Sequence, residues 1–197
     1  MQNQAFSCVM DFTRRYNIDE SHSLKHSIEV MRFAEKIIES EVAVNPQLEQ
    51  QKDIILASAI LHDMCDRKYV KDEDGAIAEL REFMKDFFTD ADFDVVVSII
   101  TTMSYSKVKK NGYPDLGEYQ LAYHIVREAD LLAAYDIDRC VIYGMAVDKM
   151  TYTMAVERAT VLFADRVLKY RDDGLFLTAW SQAKSLELHN YAVTGRR

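Results

Sequence analysis

Four residues of this chain bear metal-binding side chains at positions where apolar side chains belong: His26, His62, Asp63 and Asp130. The clearest signal is Asp53-Ile54-Ile55-Leu56-Ala57-Ser58-Ala59-Ile60-Leu61-His62-Asp63, which is apolar on nearly every side at helical period and so marks a helix surrounded by others. His62 and Asp63 stand side by side at its end. Adjacent helical residues diverge by about 100°, so both approach one point only at a helix end or a cleft floor. A carboxylate just after a buried run is costly unless a cation or hydrogen-bond donors meet it.

Taken alone, the pair has a plainer reading, in which His62 caps the helix and Asp63 is solvated. His26 and Asp130 change the balance. His26 shares a stripe with Val30, Phe33 and Ile37, and Asp130 shares one with Tyr123, Val126, Ala134 and Ile137, so both are expected to face inward. Either could be a paired core group. Two imidazoles and two carboxylates turned inward on three long helices predict one site for a divalent ion among Mn, Fe, Co, Ni, Zn and Mg, a mixed donor set that does not choose between them.

The order His26, His62-Asp63, Asp130 resembles the motif of the HD-domain superfamily of metal-dependent phosphohydrolases. Ser21-His22-Ser23-Leu24-Lys25-His26 with Glu29-Val30 is similar to its first motif. Leu61-His62-Asp63-Met64-Cys65-Asp66-Arg67-Lys68 is similar to the second, in the small bacterial-type branch that includes nucleotide pyrophosphohydrolases, and Arg127-Glu128-Ala129-Asp130-Leu131-Leu132-Ala133-Ala134 to the last. The likeness spans about residues 19 to 144, and it departs from the branch at Ser23, where an acidic residue is frequent, and at Cys65, where Gly is usual. It implies a helical bundle holding one divalent ion, and hydrolysis of a phosphoester or phosphoanhydride of a small molecule, a nucleotide above all. Two-metal members use further histidines between the His-Asp pair and the last Asp. Here only His124 lies there, about 240° around its helix from Asp130, which favours a mononuclear centre. Two other readings stay open: a regulatory module that binds metal or nucleotide without turnover, and a di-metal oxygenase of the same type.

In a hydrolase, Arg67 and Lys68 are placed by sequence to steady the phosphate, and Asp66, with Asp63, to orient or deprotonate the attacking water. His22 is assigned to phosphate or to ligand support, and Lys107, with Lys109 and Lys110, to a mobile cationic lip. Each could equally belong to a solvated surface. Ser104 and Tyr105 end an apolar helix that similar proteins use as a pocket wall, with core packing as the equal alternative.

The elements that must position these residues are all helices. They are expected at 4–16, 23–44, 46–64, 75–88, 90–105, 118–135, 139–154, 155–171 and 176–190, with Asn45-Pro46 as an N-cap and first helical residue, and Thr89 with Asp92 as a capping box. Residues 106–117 form the clearest loop, and 191–197 a frayed tail. Nothing alternates at period two, so no sheet is expected, and the absence of a linker favours one all-α domain over 1–197, with helices 145–190 packed on the motif core.

Composition narrows the function. The 197 residues carry a formal charge of −8, which disfavours broad binding of duplex nucleic acid but leaves room for a small anion at a local cationic cluster. Cys8, Cys65 and Cys140, an odd number without CxxC spacing, suit a reducing compartment. With no signal-like apolar start and no long apolar run, the chain is expected to be soluble and cytoplasmic, off the membrane, and compatible with a homodimer.

Overall fold

The structure, a computed structural model, describes residues 1–194, and among these every regular element is a helix. The centre is α3 (Leu48–Leu61), where everything from Ile54 to Leu61 is buried, as a run without a polar face requires. Around it pack α1 (Gln2–Arg15), α2 (Leu24–Glu41), α5 (Asp90–Thr102) and α7 (Gln120–Ala133). Each turns a stripe at helical spacing toward the centre. That stripe is Ala5, Cys8, Val9 and Phe12 on α1, and His26, Val30, Ala34 and Ile37 on α2.

Side-chain caps fix several of the starts. Asp72 accepts from Gly75 N at 2.9 Å and opens α4 (Glu73–Met84). Thr89 accepts from Asp92 N at 3.2 Å and opens α5, as its sequence predicts. Asp136 and Thr151 open α8 (Ile137–Ala146) and α9 (Tyr152–Asp165) in the same way. The Thr151 cap moves the break between these two helices to residues 147–151, earlier than the expected boundary at 154 and 155.

Three further expectations need correction. Residues 106–117 are not all loop: α6 (Tyr105–Asn111) occupies the first half and ends at Gly112, whose φ of 76° suits glycine. Asn45 does not cap α3; its amide turns back to Glu41, and a turn carries the chain to Leu48. The last helix, α10 (Ala179–Thr194), runs through 191–194, which were expected to fray; 195–197 lie outside the described residues.

The C-terminal part is tied to the motif helices from inside. Glu128 of α7, fully buried, accepts from Leu177 N (2.9 Å), Thr178 N (3.2 Å) and the Thr178 hydroxyl (2.7 Å), while Arg127 donates to the Leu175 carbonyl at 2.7 Å. Thus α10 is fixed against α7 and α2 at its first turn. No helix among the described residues is long and apolar enough to cross a membrane.

Candidate metal centre

Three of the four predicted ligands, His26, His62 and Asp130, form a group that could hold a metal ion, and Asp63 lies beside the two imidazoles. His26 sits in the first turn of α2, on the stripe that faces α3 and α7. His62 caps the C-terminal end of α3, and the chain turns through 62–65, which brings Asp63 beside it. Asp130 lies in the last turn of α7. The two imidazole Nε2 atoms are 3.0 Å apart. Asp63 Oδ2 lies 3.4 Å from that of His26 and 3.2 Å from that of His62. Asp130 Oδ1 lies 3.3 Å and 3.6 Å from the same two atoms.

These spacings suit a shared cation. Donors about 2.1 Å from a first-row metal ion are about 3.0 to 3.4 Å from their neighbours in octahedral or tetrahedral arrangement. The second ring nitrogen of His62, Nδ1, lies 2.9 Å from the Ala59 carbonyl. That acceptor holds the proton on Nδ1 and presents the Nε2 lone pair to the cluster, the usual support of a metal-binding histidine. Asp63 Oδ2 is buried without a hydrogen-bond partner. A carboxylate oxygen in that position calls for a positive charge.

Charge balance within the cluster says the same. Burial lowers His26 to about 4. Burial also works against charge on His62, yet Asp63 and Asp130 outweigh it and lift that ring to about 10. Burial would raise both carboxylates, but the imidazoles hold them well below the ordinary range. The two carboxylates therefore demand positive charge, and a divalent ion supplies more of it than one proton.

Beside the cluster opens a cavity of about 340 Å³ with Asp63 and Asp130 in its wall. Lys68, Asp66 and His22 line it. Lys68 Nζ lies 2.9 Å from His22 Nε2 and 3.2 Å from Asp66 Oδ2. The other face of His22 is set by the Ser21 hydroxyl at 2.6 Å and by Tyr69 OH at 2.9 Å, with Tyr69 donating to Asp19. Ser104 and Tyr105 form part of the wall, the first of their two sequence readings.

Arg67 and Lys107 do not join them. Arg67, largely exposed, points to Glu73, and Lys107 donates to the Thr101 carbonyl at 2.7 Å; neither lines the cavity. Glu73 draws Arg67 away from the cavity, and Lys107, on α6, is held against the end of α5. His124 lies apart from the cluster, next to Gln120 at 3.2 Å and against Tyr113.

Sequence reasoning missed the far wall. Arg139 and Tyr143 of α8, and Arg158 and Arg166 on and just after α9, line the same cavity. Their signal was faint: Arg158, Leu162 and Arg166 recur every four residues, which places two arginines along one face.

No protein-family model and no curated protein matches the chain. Among solved structures, a structural-genomics crystal structure of a protein from Lactobacillus plantarum is similar, with a TM-score of 0.71 at 20% sequence identity over 98% of this chain and 94% of that one. At that identity the likeness extends to the fold.

Proposed function

We propose that the chain is a metal-dependent phosphohydrolase of the HD-domain type, acting on a small phosphorylated molecule, with a nucleotide as the leading class. The observation that carries this reading is the convergence of His26, His62 and Asp130, with Asp63 Oδ2 3.4 and 3.2 Å from the two imidazoles, beside a cavity whose lining includes Lys68, Arg139 and Arg166. His26, His62, Asp63 and Asp130 would hold one divalent ion. Such an ion, when bound, polarises a phosphate oxygen and lowers the pKa of water toward neutrality.

The chain's own groups supply the rest. Lys68, oriented by His22 and Asp66, meets the non-bridging oxygens of the phosphate, and Arg139 adds a second donor from α8. Asp66 accepts the proton of the attacking water, a role its place at the cavity edge permits. The Asp19–Tyr69–His22 chain keeps the Lys68 side of the pocket in one arrangement.

The test is direct. Protein loaded in turn with Mn, Co, Ni or Mg is assayed against nucleoside mono-, di- and triphosphates, with phosphate and pyrophosphate detected separately. Turnover is expected with at least one metal, and His62→Ala should abolish it while weakening metal binding by about 100-fold or more. Absence of turnover with every metal and ester would overturn the assignment.

A further inference from the structure

A second cavity, of about 420 Å³, shares Tyr105 and Leu131 with the one beside the cluster but takes none of its ligands or arginines. Small-molecule sites run from about 300 to 1,000 Å³, so this one is large enough for a ligand of its own. Its walls are mostly apolar. Tyr105 and Val108 come from α6, Tyr113 from just beyond it, Leu131 from α7, and Leu175 from the segment before α10.

Three charged side chains border this apolar space: Lys109, Arg127 and Asp173. Arg127 is the unusual one, since it is only 3% exposed. A cation buried to that degree is costly unless it is paired and its donors are used. One terminal nitrogen donates to the Leu175 carbonyl at 2.7 Å and lies 3.5 Å from Glu128. That carboxylate already accepts from two amides and a hydroxyl at the start of α10. Nε of Arg127 is buried with no hydrogen-bond partner among the described residues. The guanidinium carbon lies 5.0 Å from the Tyr113 ring centre, and exposed Lys109 reaches over Tyr105, its Nζ 5.8 Å from that ring.

These features select a ligand. Two tyrosine rings and three aliphatic side chains suit a flat apolar body. The planar guanidinium, with Lys109, suits a carboxylate at one end of it. Asp173 in the same wall opposes a second negative charge, and Glu128 offsets part of the charge on Arg127, so a phosphate dianion fits less well. We infer that this cavity binds a small aromatic monocarboxylate, held by Arg127 and Lys109 at its charged end and by Tyr105, Tyr113 and Leu131 along its ring. Such a ligand touches two residues that also line the cavity beside the cluster, and so reaches that cavity without entering it. The site is independent of the hydrolase reading, because it needs neither metal nor turnover.

Fluorescent 2-naphthoate is titrated into the full chain, dialysed against a chelator so that no metal competes for the carboxylate, beside neutral 2-naphthylmethanol. The carboxylate should bind at least about 10-fold more tightly than the alcohol. Lys109→Gln, and Arg127→Lys, which keeps the charge without the fork, should each cut that advantage by about 5-fold or more. Tyr113→Ala should weaken both probes alike. Lys109 and Tyr113 are exposed, so their variants carry the test if Arg127→Lys does not fold. Arg139→Gln, in the other cavity, should change naphthoate affinity by less than about 2-fold. Several results overturn the inference: no binding of either probe, equal binding of both, or an advantage that survives in both charge variants. A naphthoate affinity lost in Arg139→Gln and kept in Lys109→Gln would place the carboxylate beside the cluster and overturn it too.

Discussion

His62 uses its two ring nitrogens for different purposes, one fixed on the Ala59 carbonyl and the other turned into the cluster. Replacing it by Gln keeps the volume but cannot satisfy both directions with one geometry, so metal affinity is expected to fall by about 100-fold or more, measured by competition with a chelating dye. His124 makes a different prediction. Burial and Arg127 lower it to about 4, so between that value and the ordinary imidazole value the unfolded chain binds a proton that the folded chain refuses. Its contribution is complete above about pH 6.5 and declines as the pH falls toward 4. His124→Gln should flatten the dependence of Tm on pH in that window, and an unchanged slope would mean that the ring does not titrate as described. The ligand quartet was legible in sequence because polar residues stood out on apolar stripes. Arg139 and Arg166 were not, because an arginine on an amphipathic helix looks the same whether it faces solvent or a cavity.

Elements were legible where one rule governed them. The unbroken apolar run of α3 could only be central, and Thr89 could only begin a helix. Where two rules competed, expectation failed: Gly112 and Pro114 marked 106–117 as loop, yet Tyr105–Asn111 is helical and Gly112 merely ends it. The central position of α3 predicts that Leu56→Ala, at a fully buried site, costs about 2–5 kcal/mol, seen as a lower urea midpoint. Glu128 predicts a separable effect. Glu128→Ala strips the acceptor from two backbone amides and one hydroxyl at the entrance to α10 and leaves the buried Arg127, 3.5 Å away, without its carboxylate, and should cost about 3–5 kcal/mol while metal affinity stays within about 2-fold. A large loss of metal binding in that variant would show that α10 supports the centre and does more than cover α7.

Across the molecule, α2, α3 and α7 each deliver a donor to one point, so a bound ion ties together helices that are far apart in sequence. An ion held by the folded chain alone, at 100 times its Kd, adds about 2.7 kcal/mol of stability. For a chain of this length that is about 5–10 °C in Tm. Chelation should lower the melting temperature by that amount, and the same treatment should leave His26→Ala unmoved; an equal shift in both would place the binding elsewhere. The overall arrangement, all helices with one inward cluster, could be anticipated from periodicity. The far wall could not, since its place depends on how α8 and α9 fold back over the cavity, which no local pattern specifies.

The two imidazoles at the centre of the cluster have a last consequence, concerning the kind of ion it admits. Their Nε2 atoms, 3.0 Å apart, are donors that suit first-row ions bonded at about 2.0–2.2 Å. Calcium takes about six to eight oxygen partners, which a pair of ring nitrogens does not provide. The cluster should therefore act as a sieve, with millimolar calcium failing to displace micromolar manganese.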